Sequence, residues 1–283
     1  MTRRNWSVKS GGMAFLLRLI LFMSYPVETA KKFAEWSAPI NLGPVVNSGF
    51  NEDLPHISKK GLSLYFISNR PVGSFGSFDI WVSQRGTLDG HFLFFSSDRA
   101  GGFGSQDIWM SYRKHAYDDF GWQAPVNLGA GINTVDPDFG AAFLENDDTG
   151  IPTLLFGRRE NFGDADIYMS ELLANGSFGP GVLITELSTP FDDLHPTVRP
   201  NGLELLFNSD RPGSLANDLW VSTRKTIFSP WSTPVNAGPI INTEFNEQFP
   251  ALSSDGEVLI FSSNRPGGEG GGDLYMTSRA KHD

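Results

Sequence analysis

The chain has 283 residues, of which 40% are hydrophobic, 13% aromatic and 19% charged, enough apolar material for a sizeable core. Its 31 glycines and 18 prolines favour many turns over long helices and point to an all-β fold. A net charge of −10 argues against a phosphate-neutralising surface and so against nucleic acid as a partner, while the absence of cysteine removes disulfides, thiolate metal sites and cysteine nucleophiles together.

The first 30 residues differ from the rest. Arg3, Arg4 and Lys9 precede an apolar run from Met13 to Met23, and small or turn-forming residues follow to Ala30. This is the pattern of an export signal, which places the mature protein in the periplasm or outside the cell. The run is shorter than the roughly 20 residues of a spanning helix, and Arg18 interrupts it, so no stable membrane span is expected. Glu28 blurs the cleavage site and leaves a short uncleaved amino-terminal anchor, or a buried helix, as alternatives. Residues 31–283 are expected to form a single domain.

Five copies of one pattern follow. They are LYFISNRPVGSFGSFDIWVSQR (64–85), LFFSSDRAGGFGSQDIWMSYR (93–113), LLFGRRENFGDADIYMSE (154–171), LLFNSDRPGSLANDLWVSTR (205–224) and LIFSSNRPGGEGGGDLYMTSR (259–279). The aspartate near the end of each, Asp79, Asp107, Asp166, Asp218 and Asp273, recurs at spacings of 28, 59, 52 and 55 residues.

Apolar and polar residues alternate on both sides of each Gly-rich loop, which predicts two antiparallel strands, B and C. A short apolar strand A precedes B across turn signals at Lys60-Gly61, Asp148-Thr149-Gly150, Asn201-Gly202 and Asp255-Gly256. Strand D follows C in WQAPVNLGAGIN (122–133) and WSTPVNAGPIIN (231–242), has a degenerate counterpart near 178–187, and stands unattached as WSAPINLGPVVN (36–47). Four strands repeated about every 55 residues without helices predict a β-propeller of five blades, its last blade completed by the amino-terminal strand. Strand D of blade one and strand A of blade two are missing, so one junction, after Arg85, is abbreviated; four blades with extra strands, or an error in the gene model at that junction, are the alternatives.

The motif P-x-x-S-x-D-G-x-x-L-x-F-x-S-x-R-x-G-G-x-G-x-x-D-[IL]-[WY], best preserved from Pro250 to Tyr275, resembles the WD-like repeat of TolB-type exported propellers over Trp36 to Arg279. That resemblance implies a non-enzymatic binding module for a protein or a cell-envelope glycan. The third copy departs most, with Gly157-Arg158-Arg159 in place of Ser-x-Arg.

Strand alternation sends the D-to-A and B-to-C loops to one face, where Asn51, Glu52, Asp53, Asp136, Asp138, Asp192, Asp193 and Glu247 meet Arg70, Arg99, Arg158, Arg211 and Arg265. One reading makes each arginine a tie within its own blade, partnered by the repeated aspartate; the other turns the guanidinium forks, with Asp53, Asp193 and Glu247, towards a carboxylate or sugar. Trp81, Trp109, Tyr168, Trp220 and Tyr275 are expected in the core, and Trp36, Trp122 and Trp231 at blade edges. His56, His91, His115, His195 and His282 are scattered, so neither a metal nor a cofactor is expected. No familiar catalytic motif is present. Because the acids recur at equivalent positions, the expectation is a monomeric, non-catalytic binding propeller. A five-bladed glycoside hydrolase using Asp53, Asp193 and Glu247, or a multivalent lectin, is the alternative.

Overall fold

The computed structural model describes residues 33–58, 63–71, 78–84, 91–115, 121–145 and 151–281. The expected export signal lies outside them. Among the described residues no helix is long and apolar enough to cross a membrane.

Five small antiparallel sheets form a five-bladed propeller. Blade one holds β2 (Glu52–Ile57), β3 (Ser63–Ser68) and β4 (Asp79–Gln84), and blade two holds β5 (Phe92–Ser97), β6 (Asp107–Tyr112) and β7 (Val126–Asn127). Blade three runs from β8 (Asp138–Leu144) through β9 (Thr153–Arg159) and β10 (Ala165–Glu171) to β11 (Val182–Leu183). Blade four has β12 (Asp193–Val198), β13 (Glu204–Ser209), β14 (Asp218–Thr223) and β15 (Val235–Asn236). Blade five has β16 (Glu247–Leu252), β17 (Val258–Ser263) and β18 (Asp273–Ser278), completed by β1 (Ile40–Asn41). Among the described residues blades one and two have three strands each, and the strands they lack are those the sequence omits.

Closure joins the two ends. Ile40 pairs with Met276 and Asn41 with Tyr275, and backbone bonds from Ala34 to Ala280 and from Leu42 to Leu274 extend the seam. Asn47 clamps it: its side-chain oxygen accepts from Leu274 N at 2.8 Å while its Nδ2 donates to Leu274 O at 3.1 Å. Asn133 holds both backbone groups of Ile108, and Asn242 those of Leu219, in the same way. One amide thus substitutes for a strand residue where strand D has ended.

The core lies between blades. Leu205, Phe207 and Trp220 pack with Leu155, Ile167 and Leu187, and Leu206, Leu219 and Leu252 with Phe261 and Tyr275. At the blade rims Trp36, Trp122 and Trp231 lie under Arg279, Arg113 and Arg224, with guanidinium-to-ring distances of 4.3, 4.5 and 4.3 Å.

Candidate functional site

Each inner strand opens with a carboxylate that is completely buried: Glu52, Asp138, Asp193 and Glu247. Each accepts from an arginine that follows strand B or, in blade three, is its penultimate residue. Arg70 reaches Glu52 at 2.9 Å, Arg158 reaches Asp138 at 2.7 Å, Arg265 reaches Glu247 at 2.9 Å, and Arg211 binds Asp193. Their second donor goes to a carbonyl of the D-to-A loop, on Val46, Ile132, Ile241 and Leu187 respectively. Two rings flank every guanidinium, Phe66 and Trp81 for Arg70 and Phe261 and Tyr275 for Arg265, and likewise in the other blades. Four of the five repeat arginines are therefore saturated ties rather than forks facing a ligand.

The partner differs from the expected one. Three of the repeated aspartates fold the Gly-rich loops through backbone donors: Asp107 accepts from Phe103 N and Gly104 N, Asp218 from Leu215 N, and Asp273 from Glu269 N. A Cβ on Gly102 or Gly268 would collide with the carboxylate of Asp107 or Asp273, which explains the glycine pairs. In blade three Arg158 lies opposite Asp138, at the register where Ser209 faces Asp193, and still delivers its guanidinium to the same place. Asp166 has one oxygen buried without a hydrogen-bond partner, and burial raises its pKa.

Burial raises the carboxyls of Asp138 and Asp193, while their arginines and Thr134 or Thr189 pull back towards the charged form. Buried and fully bonded, they are scaffold.

Asp53 is a different case. The sequence groups it with Asp193 and Glu247, but the structure puts Glu52 at their register and turns Asp53 into the cleft between blades five and one. There its carboxylate accepts from Ser262 Oγ at 2.6 Å. Asn51, Asn246, Gln248, Asn264 and Gly272 line the rest of the cleft, whose volume is about 160 Å³. Burial is the main force raising the pKa of Asp53, and the charge of Glu52 adds to it. Asp192, on the same loop face, has the opposite setting: Arg159 at 2.8 Å and the Ala165 N–H hold its pKa below the usual carboxylate value despite partial burial. The equivalent positions in blades one and five carry Asn51 and Asn246, so this charge is not part of the repeat.

Below the mouth, a bulge in each inner strand places Leu54, Gly140, His195 and Phe249 at φ of 48°, 65°, 51° and 53°. These bulges re-aim side chains towards the axis. His195 and Phe249 meet edge-on at 4.3 Å, and a Cβ on Gly140 would come within 2.9 Å of the histidine ring. Burial lowers the His195 pKa to about 4, against a hydrogen bond to Asn208 that favours the charged form. Among the described residues, no group of His, Asp and Glu could hold a metal ion.

No family model matches the chain, and no curated protein matches it. Solved structures do. A thermostable family-43 glycoside hydrolase superposes with a TM-score of 0.57 at 14% identity, over 86% of this chain and 94% of that one. An α-L-arabinofuranosidase from Lactobacillus brevis gives 0.53 at 13% identity, over 84% and 92%. A putative TolB from Agrobacterium tumefaciens gives 0.46 at 12% identity, over 83% and 91%, a likeness too loose to argue from. The resemblance noted in the repeat therefore stands at the level of the propeller.

These likenesses overturn the expectation of a non-catalytic binding module, because the five-bladed scaffold found here recurs in glycoside hydrolases. The physical reason for the error is specific. Repetition marks the arginine-paired acids as structural, but Asp53 and Asp192 fall outside the repeat and occupy unlike environments.

Proposed function

We propose that the protein is a glycoside hydrolase working at the axial mouth of the loop face, with Asp53 as proton donor and Asp192 as the carboxylate that stays ionised. The reading is carried by Asp53: a carboxyl in a cleft, freed from the arginine ties of the repeat, and biased towards its protonated form by burial. Glycoside hydrolysis needs one acid that retains its proton and one carboxylate that has lost it. Asp192, on the same loop face but held by Arg159 of blade three, is assigned the second state on its lowered pKa, and the pair serves one substrate only if that substrate reaches from blade three to the cleft between blades five and one. The cleft lies below the ~300 Å³ of sites for larger ligands, a size that suits one sugar ring at the mouth with the rest of a glycan running outwards. Asn51, Asn246, Gln248 and Asn264 offer amides for sugar hydroxyls.

The neighbouring enzymes suggest pentosides as the first substrates. The test is turnover of aryl α-L-arabinofuranosides, aryl β-xylosides and the corresponding oligosaccharides by the wild type, Asp53→Asn and Asp192→Asn. Turnover by the wild type that both variants lose while keeping their fold supports the reading. No turnover on a broad panel at high enzyme concentration ends it.

A further inference from the structure

The ring of inner strands is interrupted in one place. β16 packs against β2 and β12, and β12 against β8, but among the described residues blade two contributes no inner strand between β8 and β2. Seven residues (85–91) separate β4 from β5, whereas 34 (224–257) separate β14 from β17 and include β15 and β16. β5 consequently pairs only with β6, and its other edge has no strand beside it among the described residues.

The receiving half of the missing contact is nevertheless in place. Arg99 Nε donates to Ser97 Oγ at 3.0 Å, as Arg265 Nε does to Ser263 Oγ at 3.1 Å. Its guanidinium lies 4.8 Å from the Phe95 ring and 5.3 Å from that of Trp109, the same flanking as in the paired blades. The other four repeat arginines each bind a buried acid of strand A; Arg99 is exposed and has no carboxylate partner among the described residues. It is a preformed fork.

We propose that the free edge of β5 binds an extended acidic segment of a partner protein, which adds antiparallel as the inner strand of blade two and places a carboxylate on Arg99. The unpaired N–H and C=O groups of a six-residue strand are a template for strand addition, which an oligosaccharide would leave unsatisfied. Register follows from the other blades. Glu52 faces Ser68, Asp193 faces Ser209 and Glu247 faces Ser263, so the incoming acid faces Ser97. Three positions after the acid, the inner strands carry Pro55, Ala141, Pro196 and Pro250, and the segment should carry proline or a small residue there. The net charge of −10 does not attract an acidic peptide from afar, so recognition rests on Arg99 and the strand edge.

The probe is a fluorescent peptide copying residues 243–253 of this chain, titrated into the full chain and followed by anisotropy and by amide hydrogen exchange. Saturable binding that protects the amides of β5 is expected. Either Arg99→Ala in the protein or Glu247→Ala in the peptide should weaken it about tenfold or more, and the two together little further, because they remove one charge-assisted pair. Arg99 is exposed and its replacement leaves the fold intact, so loss of binding reports the contact. Absence of binding, indifference to Arg99→Ala, protection at β17 instead of β5 through exchange with the native β16, or displacement by oligogalacturonate would each overturn the proposal.

Discussion

Asn47 and Leu274 lie 227 positions apart and share two hydrogen bonds, one to each backbone group of the leucine. Leu274 is fully buried, as is the asparagine within a percent, so water cannot replace either bond. Asn47→Ala leaves the buried Leu274 N–H unmatched, at a cost of ~1–3 kcal/mol, while the Leu274 carbonyl keeps its bond from Leu42 N. The denaturation midpoint should fall accordingly. Asn242→Ala, which breaks the same clamp inside a covalently continuous blade, should cost a similar amount in stability but leave the amino-terminal strand protected from protease. Asn47→Ala should expose it.

How far the sequence discloses this architecture depends on the residue. The closure of WSAPINLGPVVN onto the last strand C is legible, because sibling copies show which strand follows which. The Asn47 clamp is not, since an asparagine four residues after a glycine has the chemistry of a turn. In Glu52-Asp53 two adjacent acids compete for one role, and the choice is made by a distant arginine. The bulges hide equally well: Leu54, His195 and Phe249 adopt positive φ without the glycine that usually announces it. Arg158 shows the converse, a displaced residue whose long side chain restores the contact of its siblings.

Arg211 and Arg99 occupy equivalent positions and should behave oppositely on truncation. Arg211→Ala strands the fully buried Asp193, and loss of one partner from such a pair costs ~3–5 kcal/mol. Arg99→Ala removes an exposed guanidinium with no acid partner among the described residues, and should cost ~1 kcal/mol or less through lost ring contacts. Urea titrations of the two variants measure the difference. Equal losses would mean that the buried acid tolerates its missing partner, contrary to the role assigned to these ties.

His195 makes stability depend on pH in the acid range. Its folded-state pKa lies near 4, below the ordinary 6.5, so the unfolded chain takes up the proton first. Stability from this group is complete above about pH 6.5 and declines as pH falls towards 4, by at most ~3 kcal/mol. Asp138 and Asp193 oppose this trend, because their raised values make protonation easier in the folded state. The comparison of wild type with His195→Asn isolates the histidine, and asparagine tolerates the positive φ. The variant should lose less of its melting temperature between pH 6.5 and 4.5. Parallel curves would show that the ring is solvated enough to titrate normally.

The two unlike carboxyls predict a bell-shaped rate profile. Asp192 must be ionised, and its lowered pKa puts the acid limb below the usual carboxylate range; Asp53 must be protonated, and its raised pKa sets the limb on which rate falls as pH rises. Asp53→Asn should abolish that second limb and slow hydrolysis of substrates with poor leaving groups by ~10²–10⁴-fold. Dinitrophenyl glycosides, whose leaving group departs without a proton, should be spared most of the loss. Asp192→Asn should slow both kinds of substrate, since its charge stabilises the transition state whatever leaves. A uniform effect of Asp53→Asn on good and poor leaving groups would remove Asp53 from the role of acid, even if activity itself were found.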